Sequence, residues 1–537
     1  MATHLTDRPG ATTGDPARRR RRGERGERGR LDAGLAGVVA AVAAMAAAEF
    51  VALLTGPGSV PVVAVGTAVV PLVPEPVKQA AIAAFGTSDK TALLIGTCIL
   101  LAAAAFGFGL AARHRPAVGD AGIVLFAGIG ALSASRAGVG GTGSVLPSLA
   151  AAVVGGVALR GLLTRVRTAG PSDSAVERRP SRRAVLATLG ATAAGALAVG
   201  AAGLAGMRLR FGSDSARAAL RLPVPASPAP AQPAGVDPGA VGALPFRTPN
   251  ADFYRIDTAL RVPQLPVETW SMRVTGMVDR ELELSFEDLL GRELVEADVT
   301  LSCVSNQVGG GLISNARWLG VRLDELLREA GVDPAADQVV GRSVDGFEAG
   351  FPTAVALDGR DALVAVGMNG EPLPLEHGFP ARLVVPGLYG YVSATKWLAE
   401  IELTTFAEFD HYWLRRGWAR EGPIKTQSRI DVPRADATVP PGATAIAGVA
   451  WAPHRGIDRV EVQIDEGPWM AARLAEVPSV DTWRQWVVDW DATAGTHQVR
   501  VRATDASGQT QPEERVDPVP DGATGWHTVQ VQVREGG

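Results

Sequence analysis

Residues 366–398 read VGMNGEPLPLEHGFPARLVVPGLYGYVSATKWL, and the fold of the soluble half turns on them. Leu383 to Val385 is a short apolar strand, and Pro386-Gly387 ends it. The stretch also carries His377, Arg382 and Lys396, three side chains that donate hydrogen bonds or positive charge. Upstream, Ser285 opens a short helix with Asp288 three residues on, the spacing of a capping box. Leu323, Leu326 and Leu327 repeat at helical spacing, and Gly331 stops that helix. Strand-like and helix-like pieces alternate irregularly between glycine turns, which predicts an α+β domain over 246–435.

Past Pro440 the pattern changes. Val460, Val462 and Ile464 alternate with polar residues, as do Val499 and Val501, then Val529, Val531 and Val533. Period-two alternation between turns predicts an immunoglobulin-like β-sandwich over 436–537. Trp483, Trp486 and Trp490 are read as its core or its interface. In the other direction, 207–245 is rich in Pro and Ala and reads as a semi-rigid spacer.

The first 206 residues are of another kind. A basic, disordered tail is expected over 1–32, with Arg18 to Arg22 unbroken. From 33 to 206 the chain is mostly Ala, Val, Gly and Leu. A membrane-spanning helix needs about 20 apolar residues. The segments 33–54, 91–112, 119–138, 144–163 and 184–206 qualify. The stretch 58–75 carries Pro57, Pro61, Pro71 and Pro74 and is read as re-entrant or peripheral. Placing the N-terminal Arg run, Arg113-His114-Arg115 and the Arg160–Arg183 connector on the cytoplasmic side then leaves everything after 206 outside. The expectation is a multi-pass helical bundle in the cytoplasmic membrane. Ser181-Arg182-Arg183, before a weakly apolar segment, resembles a twin-arginine export signal, which carries folded, cofactor-loaded proteins; an ordinary basic flank is the other reading.

The net charge of −4 gives no sign of nucleic-acid binding. No phosphate loop, dinucleotide fingerprint or His-Glu-x-x-His site is present. The apolar segments hold no histidine and the chain no Cys-x-x-Cys-His run, so no haem is expected. Only two cysteines occur, Cys98 in an apolar run and Cys303, the lone thiol of the soluble half. Cys303 stands in TLSCVSNQVGGGLISNARWLGVRL, residues 300–323.

That stretch and 366–398 together resemble the sulfite oxidase family of molybdopterin-dependent oxidoreductases, in its membrane-anchored bacterial type. The family shows a Cys followed three residues later by Asn, then Ala-Arg-Trp-x-Gly. It also shows Asn-Gly-Glu-Pro-Leu-Pro, His-Gly-x-Pro-x-Arg and Lys-Trp-Leu. Phe253-Tyr254-Arg255 is a weaker third match, and the resemblance covers about 246–537. It implies one molybdenum–molybdopterin per chain, with Cys303 ligating the metal. It further implies that Tyr254, Arg255, Asn306, His377, Arg382 and Lys396 hold the cofactor with Cys303. Molybdenum in high oxidation states takes oxo groups and soft sulfur donors, and the cofactor's phosphate calls for cations such as Arg382 and Lys396.

The chain departs from the family on the substrate side. Gln307 and Val308 stand where sulfite-oxidising members carry basic residues, and Phe351 where they carry Tyr; Cys303, Gln307 and Phe351 are the catalytic positions implied. Lys425 and Arg429 are read either as charge from another direction or as domain-junction residues. The resemblance implies oxygen-atom transfer, to sulfite or from an S- or N-oxide. It implies a small oxyanion or oxide substrate, an external electron carrier (a cytochrome or quinone-linked protein), and a homodimer through the C-terminal domain. A membrane-anchored binding or adhesion protein with a degenerate cofactor site is the competing expectation.

Overall fold

In the computed structural model the described residues are 16–69, 73, 89–136, 143–168, 180–240 and 242–534. They form two compact units, 1–211 and 212–537.

The first unit is helical. Among the described residues, Pro16–Thr55, Asp89–Ala112, Pro116–Arg136, Leu146–Thr168 and Arg182–Phe211 supply five helices long and apolar enough to cross a membrane. Pro61–Val69 has only nine residues, about 14 Å of rise, less than half a hydrocarbon core. Pro71, Pro74 and residues 169–179 of the basic connector lie outside the described residues. The helix starts at Pro16, so half of the tail expected to be disordered is helical. The physical reason is local: Pro suits a first turn, and Arg and Glu are good helix formers. Small residues let the helices touch. A Cβ on Gly37 would lie 2.1 Å from Ala105 O, and one on Gly109 would lie 2.4 Å from Ala33 O. Arg160 pairs with Asp120 at 2.9 Å, and Arg182 of the twin arginine with buried Asp32 at 3.2 Å.

The second unit contains two sheets and a sandwich. One sheet runs Leu282–Ser285, Ser271–Gly276, Leu398–Thr404, Gln338–Ser343, Glu348–Pro352. Its central pair, Ser271–Gly276 with Leu398–Thr404, is parallel and the rest antiparallel. The other runs Val295–Ser302, Ile313–Arg322, Leu363–Met368, Glu371–Pro372, with Arg382–Val384 also paired to Leu363–Met368. The capping box forms as the spacing predicts: Asp288 N donates to Ser285 Oγ at 3.1 Å and Ser285 N to Asp288 Oδ2 at 2.9 Å. Leu323, Leu326 and Leu327 are fully buried, and Gly331 closes their helix at φ +72°.

The alternating valines line the core of two facing sheets, with Trp486 and Trp490 among them. Trp483 sits instead at the joint with the α+β part. Its backbone N donates to Thr300 Oγ1 at 2.7 Å and its indole to Phe246 O at 2.9 Å. Val449, Trp451 and Trp483 share one apolar cluster with Val304, Ile313 and Val339. The sandwich takes its first strand from Gln427–Val432, ahead of the expected boundary at 436. That strand, QSRIDV, shows no clean alternation, because nearly all of it is buried.

The expected spacer also needs correcting. From Gly212 the chain belongs to the second unit and lies along it as a strap. Leu220 and Leu222 pack on the apolar core. Ala226 N donates to Leu294 O at 2.8 Å and Glu296 N to Ser227 O at 2.9 Å; further on, Pro230 O accepts from Arg317 and Gly235 O from Glu476 N. An extended, proline-rich backbone makes no internal hydrogen bonds, so its carbonyls are free to accept from a neighbouring surface.

Candidate active site

Cys303 follows directly on the strand Val295–Ser302, where the chain leaves the sheet for a loop that returns through Ile313–Arg322. Cys303 N donates to Leu312 O at 2.9 Å and Asn306 N to Cys303 O at 3.1 Å. Asn306 Oδ1 accepts from Leu312 N at 2.8 Å, so this side chain is committed to holding the loop. The thiol is unpaired and buried. Burial raises its pKa, against the pull of hydrogen bonds from Ser305.

Tyr254 stacks on Phe253 with ring centroids 5.4 Å apart, and its hydroxyl lies 3.6 Å from where a Cβ on Gly390 would sit. Burial first, and then Cys303, raise the pKa of its phenol. His377 is 4 % exposed. Its Nε2 lies 3.2 Å from Asn250 O, while its buried Nδ1 has no partner. Burial, with Lys396 and Arg382 adding to it, pushes its pKa down to about 3, so the ring is neutral.

Arg382, 3 % exposed, stacks 5.0 Å over Trp318. Among the described residues its hydrogen bonds go only to backbone carbonyls, the shortest to His377 O at 3.1 Å. Burial lowers its pKa to about 10. Lys396 Nζ donates to Glu376 O at 3.0 Å and meets Asp257 at 3.4 Å. Burial lowers its pKa to about 8, against the pull of Asp257. Arg255 is more exposed and pairs with the same carboxylate at 2.9 Å.

Tyr254, Cys303, His377, Arg382 and Lys396 are thus linked by contact or by mutual charge, and Arg255 joins them through Asp257. Their balance is unusual. Among the described residues, an interior guanidinium with no carboxylate partner and an orphaned imidazole nitrogen stand with a second interior cation, which shares Asp257 with Arg255. Desolvated cations left this way call for an anion. A phosphate beside a soft thiol fits that demand, so the residues suit a pterin cofactor with its metal.

Two expected positions stand apart. Gln307 is exposed, and its carbonyl accepts from Gly310 N. Phe351 is fully buried in the apolar core, opposite Val339 across the sheet, and offers no polar atom. Tyr389, which the sequence reading passed over, has a better claim. It is 3 % exposed, next to Gly390, whose Cβ position lies 3.8 Å from Ser302 O. Its hydroxyl accepts from Lys425 N at 3.3 Å and, among the described residues, donates to none. Lys425 is a junction residue, its Nζ held by Asp521 Oδ1 and Gly522 O, both at 2.8 Å.

Comparison with known proteins gives a consistent picture. Residues 259–413 match the family described as "Oxidoreductase molybdopterin binding domain", and 422–534 match "Mo-co oxidoreductase dimerisation domain". A sulfite oxidase of Gallus gallus is 30% identical over 325 residues, 51% of this chain and 70% of that protein. The mitochondrial sulfite oxidase of Homo sapiens is 31% identical over 339 residues, 53% of this chain. This chain spans 62% of the human protein's length. Among solved structures, the sulfane dehydrogenase SoxCD from Paracoccus pantotrophus matches 54% of this chain and 82% of its own, at 25% identity and a TM-score of 0.49.

Proposed function

The chain belongs to the sulfite oxidase family of molybdenum-dependent oxidoreductases, and on that footing we propose that it is a membrane-anchored oxygen-atom-transfer enzyme whose metal is ligated by Cys303. The observation that carries the residue assignment is the pair of buried cations, Arg382 and Lys396, with Asp257 as their one carboxylate among the described residues, beside the buried thiol of Cys303. Arg382 and Lys396 hold the phosphate of one molybdenum–molybdopterin per chain, and His377 offers Nδ1 to the same group. Arg255 steadies Lys396 through Asp257, Tyr254 forms part of the wall, and Asn306 holds the Cys303 loop. When bound, the cofactor supplies a metal centre that exchanges an oxygen atom with the substrate and passes on two electrons.

On the substrate side, Tyr389 takes the role that the sequence assigned to the Phe351 position. Its hydroxyl hydrogen is free for a substrate oxygen, and Lys425 N holds the oxygen in place. With an exposed Gln307 in place of a basic residue, this side suits a less charged S- or N-oxide at least as well as sulfite. An external cytochrome or quinone-linked protein exchanges the electrons, and 422–534 supports a homodimer. The five apolar helices anchor the enzyme in the cytoplasmic membrane with residues after 206 outside.

The test is the metal content of the full chain purified from a host that makes the pterin cofactor. One molybdenum per chain is expected in the wild type. Cys303→Ser should abolish turnover with little change in fold. Wild-type protein without molybdenum would sink the proposal.

A further inference from the structure

Gly309-Gly310-Gly311 lie in the loop that begins at Cys303. Glycine loses more conformational freedom on ordering than any other residue, so such a run does not hold its own shape. Something else must fix the loop, and the neighbouring side chains identify it. Arg429 and His527 both come from the C-terminal sandwich.

Arg429 is 6 % exposed, and its Nη1 donates to Gly310 O at 2.8 Å. Its Nε is held by Asp431 Oδ1 at 2.7 Å, which fixes the guanidinium plane. The His527 ring fills the space over Gly309, where a Cβ would come within 2.2 Å of Cδ2. Gly309 has φ +77°, so both its backbone and the ring above it exclude a side chain. His527 Nδ1 accepts from Ile430 N at 2.9 Å, which ties the ring to the strand that carries Arg429.

From these two grips the contacts run inward to the thiol. A Cβ on Gly310 would lie 2.5 Å from Asn306 Oδ1, so the two pack directly. Asn306 Oδ1 binds Leu312 N, and Leu312 O binds Cys303 N. A shift of the sandwich strand therefore reaches the Cys303 backbone through two side chains and one short loop.

We propose that Arg429 and His527 are positioning residues, through which the C-terminal sandwich sets the direction in which the Cys303 sulfur meets its metal. The inference rests on Cys303 being the molybdenum ligand. A thiolate's overlap with the metal depends on its torsion, so the sandwich tunes the metal site within the same chain, apart from any part it plays in pairing two chains.

The experiment uses the full-length holoprotein, with Arg429→Gln, Arg429→Lys, His527→Ala and the control Arg473→Gln. Arg473 is an exposed sandwich residue that binds Pro238 O, away from the loop. Three quantities are measured: molybdenum per chain, melting temperature, and the thiolate-to-molybdenum charge-transfer absorption of the oxidised protein. We expect Arg429→Gln and His527→Ala to keep their molybdenum while the band shifts in energy and intensity. Arg429→Lys, which keeps the charge but loses the planar fork that meets Gly310 O and Asp431 together, should fall between them and the wild type, and the control should not move. Loss of molybdenum at a wild-type melting temperature also supports the proposal, since the loop then fails to seat the metal in an intact fold. A wild-type band at full molybdenum content in both variants overturns it, whatever happens to the melting temperature. So does a collapse of melting and molybdenum together in both, with an unmoved band in Arg429→Lys. Wild-type protein without molybdenum is a different failure, that of the ligand assignment itself.

Discussion

Arg382 has carbonyl oxygens and the face of Trp318 around its guanidinium, and Lys396 shares the Asp257 carboxylate with Arg255. If a phosphate completes this set, Arg382→Ala removes a charge-assisted contact of about 1.5–3 kcal/mol. Cofactor affinity should fall roughly ten- to a hundredfold, seen as lower pterin and molybdenum per chain; full occupancy would refute the role. Cys303, His377, Arg382 and Lys396 were legible because each stands in a spelled-out motif. Tyr389 was not, because a tyrosine between glycines is unremarkable until the chain folds Lys425 against it. Gln307 and Phe351 rested on a linear match to the family's pattern, which says nothing of which way a side chain faces. Fully buried His411 makes a separate prediction. Burial, with Arg415 adding to it, lowers its pKa from 6.5 to about 4. Between those values the unfolded chain takes up a proton that the folded chain refuses, so stability rises with pH across that window and is lost on acidification. The urea midpoint should drop between pH 7 and pH 5, and His411→Leu should make the drop shallower. An unchanged slope would rule His411 out.

Elements whose signals are local were readable. Ser285 and Asp288 carry the whole capping box between them, and Leu323, Leu326, Leu327 and Gly331 carry a helix and its stop. The strap over 212–245 was not readable. Past the short helix Asp214–Ala219 the prolines favour an extended backbone, but which surface fills its carbonyls is decided by residues far along the chain. Arg217 fastens the near end of the strap, donating to Leu373 O at 2.7 Å and Pro372 O at 2.8 Å and pairing with Glu371 at 3.0 Å. Arg217→Ala should loosen that end by about 1.4 kcal/mol, so that cleavage near 212–222 by added protease speeds up about tenfold. Molybdenum content should stay as it is. Cleavage at the wild-type rate would mean that Leu220, Leu222 and the backbone hydrogen bonds hold the strap without Arg217.

At the scale of the molecule, the division into a charge-poor and a charge-rich half was plain from composition, and it matches the two compact units. How the cofactor-loaded half reaches its compartment is the open test. If Arg182-Arg183 is an export signal, replacing both with Lys keeps the charge but loses the signature. The enzyme should then be protected from protease added to intact spheroplasts. Equal digestion of variant and wild type would leave Arg182 as a basic flank whose partner is Asp32. Within the second unit, the cluster that joins Val449, Trp451 and Trp483 to Val304, Ile313 and Val339 has a thermodynamic consequence. The sandwich keeps a valine core of its own, but at the shared cluster exposing either part strips the other of apolar partners, and that couples their melting. Calorimetry of the intact chain should show a single endotherm for the second unit, with calorimetric and van't Hoff enthalpies in agreement. Trp483→Ala should lower that one transition without splitting it. Two resolved endotherms would mean that the recognisable sequence modules are also independent folding units, and the shared cluster argues that they are not.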